Sequence, residues 1–175
     1  MAKPRSTRPQ QIIGWREHIS LPQFGIFDLP AKVDTGARTS ALHAVDQKLF
    51  DRDGAPWVEF MIPLKNRRTT RRICAPVLEE RDIKNTGGVP ERRLVVRTTL
   101  VISKRHWLID VSLANREKME FDVILGRSAI RRHRMLVDPR RSYLAGPPNA
   151  VMTAPERDLT PEQMPIHDLH TGEEE

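Results

Sequence analysis

Between Gln11 and about residue 145, the apolar residues come in short runs, each cut off by a turn signal. This pattern leaves few folds open. Gln11 to Ile19 and Phe24 to Val33 read as strands joined at Leu21-Pro22-Gln23, and Trp57 to Leu64 follows the Asp53-Gly54 turn. Leu94 to Ile102 is rich in β-branched and apolar residues. Trp107, Ile109, Val111 and Leu113 alternate with Leu108, Asp110 and Ser112, close to the period of a half-buried strand. Phe121 to Leu125 has the short apolar character of a buried central strand. Arg127 to Arg134, just after Gly126, is the best candidate for a short helix, and Met135 to Val137 reads as a last strand closed by Asp138-Pro139. Many short strands with little helix predict an all-β sandwich or barrel. There is no internal repeat.

The ends have a different composition. Residues 1–10 and 146–175 are rich in proline and charge and poor in apolar residues, so they are expected to be disordered tails around a domain at 11–145. The first tail is basic. From Ala154 onward seven acids stand against Arg157 alone, a net of −6, so residues 1–153 carry +12 within the overall +6. A body this basic suits an anionic partner, although a solvated basic face explains the same charge. No apolar run is long enough to span a membrane, and the N-terminal residues lack the apolar stretch of a secretory signal. The single cysteine, Cys74, excludes an internal disulfide and fits a reducing cytoplasm. Its neighbours, Ile73, Ala75 and Pro76, suggest an inert strand position rather than a nucleophile.

The segment richest in chemistry is Ala31-Lys32-Val33-Asp34-Thr35-Gly36-Ala37-Arg38-Thr39-Ser40, where an apolar strand runs directly into Asp-Thr-Gly. Such a turn puts the Asp34 carboxylate at a strand end, offers the Thr35 hydroxyl, and uses Gly36 to bend sharply. Asp-Thr-Gly alone is also ordinary turn chemistry. Two further features raise its significance. Asp122-Val123-Ile124-Leu125-Gly126-Arg127 reads as an apolar strand entering a helix through glycine. Midway between them, Ile83 to Arg92 contains Gly87-Gly88 and reads as a mobile hairpin tip, or flap.

In this order these elements resemble the retropepsins. The run Ala31 to Ala44, with Leu125-Gly126-Arg127 and Val137-Asp138-Pro139, is similar to one bacterial group of retropepsin-like proteins. That group includes RimB and is often labelled "ATP-dependent zinc proteases". The resemblance covers roughly residues 12–145. It implies a closed β-barrel, an acid-protease half, with one short helix after the Leu-Gly-Arg strand. It also implies aspartic catalysis by Asp34, Thr35 and Gly36. That chemistry takes two carboxylates sharing one proton around one water. One Asp-Thr-Gly per chain therefore implies a twofold homodimer with Asp34 facing its mate.

The residues give the inherited label little support. No glycine-rich loop ending in Lys-Ser/Thr is present for ATP, and no His-Glu-x-x-His for zinc. Of the six histidines, only His167 and His170 have helical ligand spacing, and they lie in the tail; His43 reads as packed or hydrogen-bonded. No metal or cofactor is expected.

A peptide cleft on a basic body suggests an acidic chain as substrate. Arg38 beside the turn, Arg92 and Arg93 on the flap with Gly87 and Gly88, and Arg127 after the second glycine are the candidate contacts, because an arginine fork binds carboxylates bidentately. The alternatives are an ion pair at the dimer interface for Arg127 and plain solvation for Arg92 and Arg93. The resemblance further implies a glutamate-tailed ribosomal protein as substrate, with ribosome or glutamate-ligase association. The closing Thr171-Gly172-Glu173-Glu174-Glu175 is either a plain acidic tail or a product mimic that enters the cleft. Two other classes compete: a non-catalytic acidic-peptide module on the same fold, and a ribosome- or RNA-binding module using Arg67-Arg68, Arg71-Arg72, Arg131-Arg132 and Arg140-Arg141. Aromatic residues make up only 5% of the chain, so stacking on bases is poorly supported.

Overall fold

A computed structural model describes residues 9–64, 69–84 and 87–148. Most of both expected tails lies outside the described residues, and with them His167, His170 and Glu173-Glu174-Glu175. In chain order the elements are β1 (Gln11–Gly14), β2 (Arg16–Leu21), a 3-10 turn (Pro22–Phe24), β3 (Ile26–Val33), β4 (Ser40–His43), β5 (Val45–Arg52), β6 (Ala55–Leu64) and β7 (Thr69–Pro76). They continue with β8 (Glu79–Lys84), β9 (Pro90–Ile102), β10 (Arg105–Ala114), β11 (Val123–Leu125), α1 (Arg127–Ile130), a 3-10 turn (Arg131–His133) and β12 (Met135–Asp138).

Six strands close a barrel in the order β10-β4-β11-β3-β2-β9, with β9 pairing back onto β10. This is the all-β, retropepsin-like architecture with one short helix. β8 extends β9 outside the ring, so β8 and the first half of β9 form a projecting hairpin. β5, β6 and β7 make a separate antiparallel meander, and β1 pairs in parallel with β12. The barrel interior is filled by Ile19, Leu21, Ala31, Val96, Leu100, Val111, Leu113, Val123 and Leu125, all buried. The meander joins the same core. Val58, Phe60, Ile62 and Leu64 alternate inward along β6, and Phe60 meets Phe24 edge-on at 5.7 Å. The indole N–H of Trp107 donates to the carbonyl of Ala129 at 2.8 Å and fastens α1 to β10. Among the described residues, no helix is long and apolar enough to cross a membrane.

The departures from the sequence pattern have local causes. The strand expected over Gln11–Ile19 is broken at Trp15. There Gly14 packs so closely on residues 141–142 that a Cβ would sit 2.5 Å from the Arg141 carbonyl oxygen. The helix expected over Arg127–Arg134 is α for one turn only. Arg134 then takes a left-handed φ of 54° and turns the chain into β12. β4 shows no alternation because all four residues, Ser40 and His43 included, are buried. β5 shows none because nearly all of it is exposed.

One buried acid ties Gly14 to Leu144 and Ala145 across the fold. Glu17 is fully buried, and its Oε1 accepts the backbone N–H of Gly14 at 2.6 Å and of Leu144 at 2.9 Å, while Oε2 accepts that of Ala145 at 3.2 Å. Replacing the acid leaves those donors without an acceptor in the interior. Glu17→Ala is expected to cost about 3 kcal/mol of stability. Urea or thermal unfolding of the full chain checks this, and a loss below about 1 kcal/mol would refute it.

Candidate active site

β3 and β11 run in parallel, with Ala31 opposite Val123, Lys32 opposite Ile124 and Val33 opposite Leu125. This register lays the Asp34-Thr35-Gly36 turn beside Gly126-Arg127. The backbone N–H of Asp34 donates to the carbonyl of Leu125 at 2.9 Å. In return, the N–H groups of Arg127 and Ser128 donate to the carbonyls of Ala37 at 2.9 Å and Arg38 at 3.1 Å. The N–H of Gly126 donates to the buried Ser40 hydroxyl at 3.1 Å. Gly126 is required here by proximity, since a Cβ on it would lie 2.7 Å from the Thr39 carbonyl carbon and 2.8 Å from its oxygen.

Asp34 is half-buried at the strand end. Its Oδ1 accepts the N–H of Gly36 at 3.0 Å and of Ala37 at 3.1 Å, which fixes the carboxylate against its own turn. Among the described residues no hydrogen bond engages its Oδ2. Thr35 is exposed. Arg127 clamps the outside of the turn, with one Nη1 donating to the carbonyls of both Thr35 and Gly36 at 2.9 Å. Its guanidinium therefore acts as a turn clamp in this structure.

Asp34 opens into a cleft of about 760 Å³. One wall is the turn, with Ala37, Arg38 and Thr39; another is the β8–β9 hairpin, with Arg81, Ile83, Lys84, Glu91 and Arg93. A third comes from the end of β10 and the loop after it, with Ser112, Asn115, Arg116 and Met119. Of the arginines singled out in the sequence, Arg38 and Arg93 line this cleft, and Arg92 and Arg127 do not. Arg92 is paired with Glu80 at 2.6 Å, with its side chain largely exposed. Gly87 and Gly88 sit at the hairpin tip and do not line the cleft.

The sequence reading missed Arg81 and Arg116. Arg81 reaches from the hairpin to the turn, where its Nη1 donates to the Thr39 hydroxyl at 2.9 Å. Arg116 is half-buried, and its Nε donates to the carbonyl of Phe121 at 3.1 Å. Burial lowers the Arg116 pKa from its ordinary value and the nearby charge of Arg93 acts in the same direction; Asp122 and Asp34 oppose both. Arg81 alternates with exposed charges on a polar hairpin, and Arg116 lies in a loop without periodicity, so only the fold singles them out.

The remaining candidates lie away from this cleft or are engaged within the fold. The Nδ1 of buried His43 accepts the backbone N–H of Arg116 at 2.9 Å. Cys74 is half-buried on β7 and outside the cleft. Burial and then Glu59, 4.0 Å from its sulfur, push its pKa up and disfavour the reactive thiolate. Among the described residues, no group of three or more His, Cys, Asp or Glu side chains is placed to hold one metal ion.

Comparison with known proteins agrees with this geometry. The chain is 45% identical over 132 residues to a Desulfotalea psychrophila protein named "Probable alpha-L-glutamate ligase", a match covering 74% of this chain and 28% of the relative. A Parasynechococcus marenigrum protein of the same name is 43% identical over 137 residues, covering 77% of this chain and 29% of the relative. The chain thus spans under a third of the length of these relatives. In three dimensions it is similar to the crystal structure of a Legionella pneumophila protein of unknown function, with a TM-score of 0.68 and 27% identity over 78% of this chain and 99% of that one. Over residues 12–148 the sequence matches the family model described as retropepsin-like aspartic endopeptidase RimB. The chain belongs to the RimB-like family of retropepsin-like aspartic endopeptidases.

Proposed function

We propose that two copies of this chain pair about a twofold axis to form an aspartic peptide hydrolase that trims acidic, glutamate-rich tails, such as that on the sixth small-subunit ribosomal protein. The observation that carries the reading is the single Asp34, fixed at a strand end in a cleft whose walls hold Arg38, Arg81, Arg93 and Arg116. In the dimer each Asp34 faces its mate. Two carboxylates that close cannot both stay ionised, so they share a proton. The ionised one draws a proton from the bound water, and the protonated one donates to the scissile carbonyl oxygen. The oxygen in each turn that accepts the Gly36 and Ala37 N–H groups holds orientation, which leaves Oδ2 for water. The exposed Thr35 is available to the partner subunit.

The ligase names of the relatives support a glutamate-rich substrate. Joining amino acids in water needs an activated carboxylate, and this sequence has no glycine-rich phosphate loop. We assign ligation to the rest of those longer chains and hydrolysis to the part shared here. Association with such a ligase or with the ribosome would use the exposed Arg131, Arg132, Arg140 and Arg141. We place the reaction in the cytoplasm.

Peptides that end in glutamate or in glutamine runs test this reading. The protein is expected to shorten the glutamate peptide, with the rate unchanged by a metal chelator. Abolition by chelator, or equal cutting of the glutamine peptide, would overturn it.

A further inference from the structure

The cleft holds an arrangement of charge that packing alone does not call for. Its lining has five basic side chains, Arg38, Arg81, Lys84, Arg93 and Arg116, against three acids, Asp34, Asp82 and Glu91. Two of the arginines oppose each other directly, because Arg81 faces Arg93 in the β8–β9 register. Like charges opposite one another on a sheet face are destabilising. Among the described residues, each pairs with an acid two residues away on its own strand, Arg81 with Glu79 and Arg93 with Glu91.

Arg116 approaches from the facing wall and is held at two points. Its backbone N–H is fixed by His43 and its Nε by the Phe121 carbonyl. The charges of Arg93, Asp122 and Asp34 all act on it, the two acids opposing the arginine. A half-buried guanidinium anchored through its Nε on the cleft wall, opposite a second arginine, presents a charge-assisted donor to an acidic side chain entering beside Asp34.

We infer that Arg116, with Arg93 across from it, forms a carboxylate subsite beside Asp34 that reads the acidic side chain of the substrate residue next to the scissile bond. The inference rests on the hydrolase reading and supplies that reading with a specificity residue. Arg116 acts on substrate position, so its effect falls on KM and depends on the charge of one substrate side chain.

The test compares wild type, Arg116→Gln and Arg116→Lys on two peptides that differ only in having glutamate or glutamine next to the cut. Arg116→Gln is expected to lose roughly tenfold or more in kcat/KM on the glutamate peptide, chiefly through KM, and to stay within about twofold of wild type on the glutamine peptide. Arg116→Lys is expected to recover part of the loss. Equal losses on both peptides, or no loss on either, would overturn the subsite. Arg93→Gln serves as the second variant if Arg116→Gln melts early, with the same selective loss expected. If wild type cuts neither peptide, the hydrolase reading falls, and peptide binding to the full-length protein decides the subsite separately. A preference for glutamate over glutamine in Kd that Arg116→Gln erases supports it, and equal Kd values for the two peptides with wild type refute it.

Discussion

Asp34→Asn is expected to lower peptide hydrolysis by about 10³-fold or more while leaving the fold intact. The amide oxygen of asparagine can still accept the N–H groups of Gly36 and Ala37 that Oδ1 accepts now, so the turn keeps its shape. What disappears is the ability to hold or give up a proton. The melting temperature should therefore stay within about 3 °C of wild type. The twofold model adds a sharper expectation. Mixed with wild type under conditions where subunits exchange, the variant forms pairs with one carboxylate, and activity per wild-type chain falls. With a fourfold excess of variant it should drop to about one fifth. Activity that ignores the added variant would show that each chain works alone, and full activity in the variant itself would remove Asp34 from the chemistry.

Gly126→Ala should damage stability and activity together. Its backbone is extended (φ −79°), so the strain comes from space alone. The added methyl would meet the Thr39 carbonyl at 2.7 to 2.8 Å and the Arg38 carbonyl carbon at 2.9 Å. These are backbone atoms of the segment that carries Asp34, and they cannot swing aside as a side chain would. Relief requires β11 and the turn to separate, which stretches the hydrogen bonds from Arg127 and Ser128 to Ala37 and Arg38. A loss of about 2 to 3 kcal/mol is expected, equivalent to a fall in melting temperature of roughly 5 to 10 °C. Hydrolysis should fall more than stability explains when measured well below the melting point. Gly54→Ala is the control. Gly54 has a φ of 77° with nothing within 4 Å of the added carbon, so only backbone strain of about 1 kcal/mol is expected, with unchanged kinetics. Equal effects of the two substitutions would refute the close-approach argument.

The fold was legible wherever a strand has one face in and one face out. Along β6 and β10 the alternation of inward Val58, Phe60, Trp107 and Ile109 with more exposed neighbours can be read directly from the residues. β4 and β5 escaped because one is buried on both faces and the other exposed on both, which removes the period-two signal. The candidate site divides in the same way. Asp34, Gly36 and Gly126 were legible because a turn and a close approach leave only a few residue types. The arginines were not, because an arginine looks the same in sequence whether it faces solvent, clamps a turn or lines a cleft. Arg92 and Arg93 are neighbours in the chain, yet strand geometry sends only Arg93 into the cleft. Glu17 looks like one more surface acid, and only the return of Leu144 and Ala145 to its carboxylate reveals its role.

The clamp between Arg127 and Thr35 spans 92 positions of the chain. During synthesis the aspartate turn therefore emerges long before the segment that shapes it. Until residues 125–128 have left the ribosome, the aspartate turn lacks its brace, and contacts this distant in sequence also slow folding.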